Sequence, residues 1–401
     1  MSKVKLSTRV GRMTPSATTA LGGKIAALKA KGVNVISFGA GEPDFATPDG
    51  IKQAGIHAIQ SNQTKYTPVG GPAELRAAVA KWVSTACGVS YTANQISVTN
   101  GAKEALFLAF LALCDDGDEV IIPAPYWVSY VDQAKLAGAT PVIVQADATQ
   151  GFRMTAAQLA AAITPRTRVL VLNSPSNPTG AVYTAAELRA IADVIAQHPQ
   201  IVVMSDEIYD AIIYTAYARW LQVAPELYEQ TLVINGASKA YAMTGWRLGF
   251  VAGPQAIIDA IKGVQSHSTS HTSTITQAAA LPAYDGSLDM AGEVARMVSA
   301  FRERRDLIGE LLTSIPGVSL AMPDGAFYVF PDIRGLLGKK LACGVVCHTD
   351  DELAEALLEH AHIGVVAGSA FGAPGFLRLS YATSNALIVE GMARLRKAVV
   401  G

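Results

Sequence analysis

The sequence predicts an α/β protein in which a mostly parallel sheet of about seven strands is covered by helices on both faces and joined to a smaller α+β domain. Three observations carry this expectation. Short β-branched runs alternate with helical patterns between residues 96 and 253, and past Pro254 long helical patterns take over. Half of the residues are apolar and 16% are charged, enough to fill more than one core across 401 residues. Strands separated by crossover helices imply parallel pairing with both faces buried.

The elements read in order as ISVTN (96–100), the helical GAKEALFLAFLALC, DEVIIP, a helix over 127–137, TPVIV, a helix over 155–162, and RVLVLN. The strands IVVMS (201–205), TLVIN (231–235) and RLGFVAG (247–253) bring the count to seven. Helical patterns then run to about residue 312, followed by VSLAM, AFYVFPD, a helix over 350–360, HIGVVAG and FLRLSYA. No fixed-period repeat is present.

A formal charge of -1 supplies no basic face for nucleic acid or an anionic membrane, so a small molecule is the expected partner. Four cysteines in 401 residues and no apolar run approaching a membrane span fit a cytoplasmic protein. The opening MSKVKLSTRVGRM lacks the apolar core of a secretory signal and reads as an arm. Cys343 and Cys347 lie four apart, wider than the usual structural-zinc spacing, and no metal is expected there.

Ligands of open parallel sheets sit beyond the carboxyl ends of the strands. The residues there are Thr99 to Gly101, Pro125 to Trp127, Asn173 to Gly180, Asp206 to Tyr209, and Ser238 with Lys239. Gly101 opens a helix directly after a strand, so the amides of Gly101, Ala102 and Lys103 would face an anion at the positive end of the helix dipole. Arg247 can fork onto two phosphate oxygens at the same rim. Lys239 lies among small residues, where desolvation would free its lone pair, and Asp206 is a carboxylate at the end of a very apolar strand. An amine, a carboxylate and a phosphate cradle are the three things that pyridoxal 5'-phosphate needs.

The segments YTPVGG, TNGAKEAL, APYWVSY, NSPSNPTG, SDEIYD, SKAYAMTGWRLGF and RLSYATS resemble, in order and over nearly the whole chain, those of class I aminotransferases of the aspartate aminotransferase family, fold type I. The resemblance implies that Lys239 holds pyridoxal 5'-phosphate as a Schiff base and then shuttles a proton. It implies that Asp206 holds the ring nitrogen, and that Asn177 and Tyr209 bond the phenolic oxygen. Trp127 would stack on the ring; Gly101, Ala102, Lys103, Ser238 and Arg247 would bind the phosphate. Tyr66 would reach the phosphate of a neighbouring subunit, which implies a homodimer with shared active sites. Arg378 would clamp the substrate α-carboxylate, with Gly41, Trp127 and Asn177 lining the same pocket. The implied division is an arm over residues 1–15, a large cofactor-binding domain over 46–285, and a small domain from 16–45 and 286–401.

Lys103 with Ser16 and Thr18 matches the bacterial branch that recognises a distal carboxylate, which points to aspartate and glutamate with oxaloacetate and 2-oxoglutarate. Relatives preferring aromatic amino acids or prephenate share these motifs. His267 and His271 fall near the expected partner's pocket, with interface packing the default reading. Three rivals stand beside transamination. Another reaction of the same cofactor, such as β-elimination, would keep Lys239 and differ in the step after proton loss. A regulator carrying a DNA-binding module has little room in about 30 residues before the first strand. A nicotinamide dehydrogenase needs a third glycine that GAGEPDF lacks.

Overall fold

The computed structural model describes residues 4–401; the first three residues of the expected arm lie outside it. The strands are β1 (Ile36–Ser37), β2 (Ile96–Thr99), β3 (Glu119–Ala124), β4 (Thr140–Gln145), β5 (Thr167–Asn173), β6 (Val202–Asp206), β7 (Thr231–Gly236), β8 (Gly249–Ala252), β9 (Tyr328–Val329), β10 (Ile363–Gly364), β11 (Val366–Ala367) and β12 (Leu377–Ser380). Seven of them form one sheet in the order β2-β8-β7-β6-β5-β3-β4. All neighbours pair in parallel except β8, which runs antiparallel to both β2 and β7.

Continuous apolar runs form the central strands because both faces are covered. Alternate residues of β5 enter different cores: Val169 and Val171 belong to the same core as Leu106 and Phe110 of the helix Ala102–Leu113, whereas Leu170 and Leu172 belong to that of Leu188 and Ile191 of Ala185–Ile195. The helices near 127–137, 155–162 and 350–360 appear as Ser129–Leu136, Ala156–Ala162 and Asp350–His360. The caps are legible: Thr155 and Thr184 each close a capping box with a residue three positions on.

Two expected strands differ. VSLAM contributes only an isolated bridge, Ser319 to Asp332, and the rest of it is irregular. The run RLGFVAG begins as a strand only at Gly249, since Arg247 takes a left-handed backbone with φ 59° in the turn before it.

That turn matters because of register. Gly249 is opposite Thr99 on one side and Gly236 on the other, so the start of β8 is wedged between the ends of β2 and β7. A Cβ on Gly249 would press into the backbone of Gly101 and Ala102, which cannot yield as a flexible side chain can. We expect Gly249→Ala to lower the stability of the folded protein by about 1–3 kcal/mol, read as a reduced denaturant midpoint at unchanged m-value. An unchanged midpoint would show that these backbones are not in close contact.

Candidate active site

The strand ends converge on a cavity of about 440 Å³. Ala102, Lys103, Trp127, Asn177, Asp206, Tyr209, Ser238, Lys239, Arg247 and Arg378 all line it, as do Gly41 and Thr18. They come from segments spread along the chain from Thr18 to Arg378, which the order of the sheet strands brings to one rim.

The anion end is built on the helix Ala102–Leu113. Gly101 caps it with φ 82°, and a Cβ there would lie 2.6 Å from the Arg247 guanidinium, so only glycine fits. The Gly101 amide is not free as expected: it turns back onto the Thr99 carbonyl at 2.8 Å, because the tight turn at Asn100 closes on itself. Ala102 and Lys103 keep the outward-facing amides of the first turn. Arg247 is held by the carbonyls of Thr244 at 2.8 Å and Asn100 at 3.1 Å, with its charge unpaired among the described residues. The Lys103 ammonium lies 4.9 Å from the Trp127 ring centre, and burial together with Arg247 lowers its proton affinity.

At the opposite end, Asp206 terminates β6 with its side chain almost fully buried. One carboxylate oxygen accepts from the Tyr130 hydroxyl at 2.6 Å and the other from the Ile208 amide at 3.2 Å. Burial raises its pKa to about 6 despite these bonds. Asn173, opposite Asp206 in register, donates to the Asp206 carbonyl at 3.0 Å and accepts from the Asn177 amide at 2.8 Å, which fixes the NPTG turn beside the carboxylate.

Lys239 extends between these ends and donates to the Gly41 carbonyl. Enclosure by protein lowers its pKa to about 8; Arg247, Arg378 and Lys103 push the same way, against Glu42. Tyr209 and Tyr328 share a hydroxyl hydrogen bond of 2.8 Å. Arg378 is 2% exposed, donating to Asn177 Oδ1 at 3.0 Å and the Gly39 carbonyl at 2.9 Å, and lies over the rings of Tyr328 and Phe371. Its Nε has no partner, and no carboxylate pairs with it among the described residues. A buried guanidinium left without an anion is costly, so the site is organised to receive a carboxylate.

Comparison with known proteins agrees with this geometry. The family model for aminotransferases of class I and II matches residues 33–395. The chain is 46% identical to an aspartate/prephenate aminotransferase of Cereibacter sphaeroides over 99% of both chains, and 46% identical to an aspartate aminotransferase of Geobacillus stearothermophilus over 98% of both. The solved aspartate aminotransferase of Rhizobium meliloti superposes with a TM-score of 0.94 at 44% identity over 98% of both chains, and one from Thermus thermophilus with maleate gives 0.92 at 41%, covering 98% of this chain and 99% of that one. The chain belongs to the class I and II aminotransferases.

The remaining expected residues of this aminotransferase occupy several different places. Thr18 reaches the cavity, whereas Ser16 lines an adjoining one and uses its hydroxyl to cap the helix Ala17–Ala30 and to bond Thr18 at 2.9 Å. Tyr66 stays outside this chain's cavity: it is 92% exposed and edge-on to His271 at 5.5 Å. His271 bonds the Thr272 carbonyl at 2.7 Å, and His267 is exposed just past the helix Gln255–Ser266. Tyr130, Tyr328, Glu42 and Thr244 also line the aminotransferase cavity, although no role is expected for them from the sequence motifs. Tyr130 was detectable, because three positions after Trp127 places both on one side of an opening helix turn. Tyr328 and Glu42 have no local signature.

The lowered affinity of Lys239 for its proton has a stability consequence in the cofactor-free protein. The unfolded chain releases this proton near pH 10.5 and the folded one near 8, so below pH 8 the folded state bears the full burial penalty, about 3 kcal/mol. Between these values stability rises with pH, and above 10.5 the penalty is gone. Lys239→Met should therefore stabilise the cofactor-free aminotransferase at pH 7 by up to about 3 kcal/mol, with the advantage shrinking from pH 8 upward in denaturant titrations.

Proposed function

We propose that the protein exchanges an amino group between L-aspartate or L-glutamate and a 2-oxo acid, using pyridoxal 5'-phosphate held at Lys239. The observation that carries this reading is Arg378, a buried guanidinium lacking an acid partner in the same cavity as a lysine of lowered proton affinity and a buried carboxylate. The residues fit the cofactor. Ala102 and Lys103 amides, Ser238 and Arg247 make an anion cradle that a Cβ at Gly101 would fill, Asp206 faces the rim as an acceptor for a ring N–H, and Trp127 offers a stacking face. When bound, pyridoxal 5'-phosphate supplies an aldehyde for amines and a cationic ring that accepts the electron pair left by an α-proton.

The chain's own part follows from its geometry. Arg378 presents its free N–H groups to the α-carboxylate while Asn177 and the Gly39 carbonyl hold the guanidinium plane. Lys239 Nζ, with a pKa of about 8, carries enough neutral amine near neutral pH to take the substrate α-proton and to give it back. Asp206, with a pKa of about 6, is mostly ionised at pH 7 and can steady a cation, and the Tyr130 hydroxyl keeps the carboxylate in place. Tyr209 and Asn177 offer hydrogen bonds beside it.

Lys103 and Thr18 are the proposed contacts for a distal carboxylate, with Ser16 acting behind Thr18 through their shared hydrogen bond. The preference for dicarboxylates is supported by the names of the relatives and by the Thermus thermophilus structure with maleate. A preference that extends to prephenate has support in the Cereibacter sphaeroides relative. We further propose the division into a large domain over 46–285 and a small one over 16–45 and 286–401; confinement of the seven-stranded sheet to residues 96–252 supports it. An exposed Tyr66 supports a homodimer in which this ring serves the partner's site. Four free cysteines, and no described helix long and apolar enough to cross a membrane, accord with a cytoplasmic location.

Borohydride reduction of the cofactor-loaded protein followed by peptide mapping should place the label on Lys239, and Lys239→Ala should abolish turnover of aspartate with 2-oxoglutarate. A label elsewhere, or a lysine variant as active as the parent, would remove the reading. Arg378→Leu should reduce kcat/KM for aspartate by at least about a hundred-fold, since orientation and a deeply buried counter-charge are lost together. Lys103→Ala should reduce kcat/KM for aspartate more than for an aromatic donor. Equal losses would take the distal carboxylate away from Lys103.

A further inference from the structure

Next to Asp206 and Tyr209 in the chain, but outside the lining of the cavity, lies a buried charge cluster with no assigned part in the reaction. Glu207 and Asp210 are 2% and 7% exposed and each directly follows a site residue. Arg219, whose side chain is 12% exposed, reaches both, bonding Glu207 with one terminal nitrogen and Asp210 at 2.5 Å with the other. The contacts continue toward the lysine. Asp210 also accepts from Asn235 Nδ2 at 2.9 Å, and Asn235 Oδ1 accepts from the Gly236 amide at 2.7 Å. Gly236 leads directly into the helical turn Ala237–Ala240, which carries Ser238 and Lys239. On the other arm, Glu207 accepts from Ser205 at 3.0 Å, and its amide donates to the Ile234 carbonyl of β7 at 2.9 Å.

We propose that Arg219 is a positioning residue that, through Glu207, Asp210 and Asn235, locks the end of β6 and the turn after it, bearing Asp206 and Tyr209, to the end of β7 and the helical turn after it, bearing Lys239. This rests on the function proposed above. A packed apolar core would hold these loops without three buried charges, and a buried ion cluster is seldom favourable for stability alone. Its geometry is what it adds: the planar fork of one guanidinium sets the spacing of two carboxylates on one loop, and the second carboxylate hands that position to the next strand. The cluster combines two acids and one base. Glu207 also contributes to the raised proton affinity of Asp206.

The test uses Arg219→Gln and Arg219→Lys, each checked for folding by circular dichroism, with two readouts. In cofactor-loaded protein, steady-state kinetics with aspartate should show kcat reduced about 10- to 100-fold with KM changed less than about threefold, because the binding groups stay while the amine and the carboxylate lose alignment. In cofactor-free protein, the pH dependence of Lys239 acylation, followed by peptide mass spectrometry, should have its midpoint near 8 in the parent and about one pH unit or more higher in Arg219→Gln. A loosened turn admits water and removes the burial that holds the value down. Glu42, Arg247, Arg378, Lys103 and Asp206 face that amine and are untouched by the substitutions. Arg219→Lys, with charge but no fork, should fall between the two.

Variants that melt at lower temperature yet keep both kcat and the Lys239 midpoint would overturn the proposal, because Arg219 would then be structural only. If Arg219→Gln does not fold, Arg219→Lys decides by the same two measures. A parent protein with no aminotransfer activity would defeat the proposed function instead, and the acylation midpoint of the cofactor-free protein would still report on Arg219.

Discussion

The site depends on how closely three backbones meet at the rim of the sheet. Gly249 is in register with Thr99 and with Gly236, and its Cα hydrogens leave just enough room for the turn at Gly101. Because β8 is the one strand of the seven-stranded sheet that runs antiparallel to both its neighbours, its beginning, not its end, lies at the ligand rim. Arg247, two residues earlier, is thereby placed between the helix that opens after β2 and the turn that follows β7. A parallel β8 would have carried the same arginine to the opposite edge of the sheet. Glycine at 101 and 249 is therefore a condition for bringing a guanidinium, two helix amides and a lysine within reach of one ligand.

Around this rim the protein accepts electrostatic costs that differ at each position. Burial favours the neutral form of Lys239 and of Asp206, which draws their proton affinities toward each other, to about 8 and about 6. Arg378 cannot neutralise itself in this way and is left with carbonyl and amide oxygens, two aromatic faces and an orphan N–H. The three groups are thus poised for a ligand that brings a carboxylate, an aldehyde and an N–H donor. The Tyr130 hydroxyl and the Asn173 amide bear no charge, yet they decide where the Asp206 carboxylate and the NPTG turn stand.

Strain and charge at the rim are supported from below by the two apolar cores and from behind by the Arg219 cluster. Alternation along β5 and β6 fills both cores, so the strand ends cannot slide without exposing a whole face of apolar side chains. Rigidity of this kind is what lets residues from distant segments hold positions suited to chemistry.

Much was legible in the sequence because its signals are local. Apolar runs of strand length, Ser and Thr at helix starts, and turn residues at strand ends announce themselves within a few positions, and seven motif segments in family order pointed to Lys239, Asp206, Asn177, Tyr209, Arg247 and Arg378, which the structure brings to one cavity. Other features were settled only by the tertiary structure. That β8 runs antiparallel, that the Gly101 amide folds back onto Thr99, that Ser16 caps a helix while Thr18 faces the cavity, and that Tyr328 meets Tyr209 across 119 residues are all outcomes of packing. Local composition determines which element forms and which residues end it. Direction, register and the partner of a buried polar group depend on segments remote in the chain, and only their assembly decides which donor finds which acceptor.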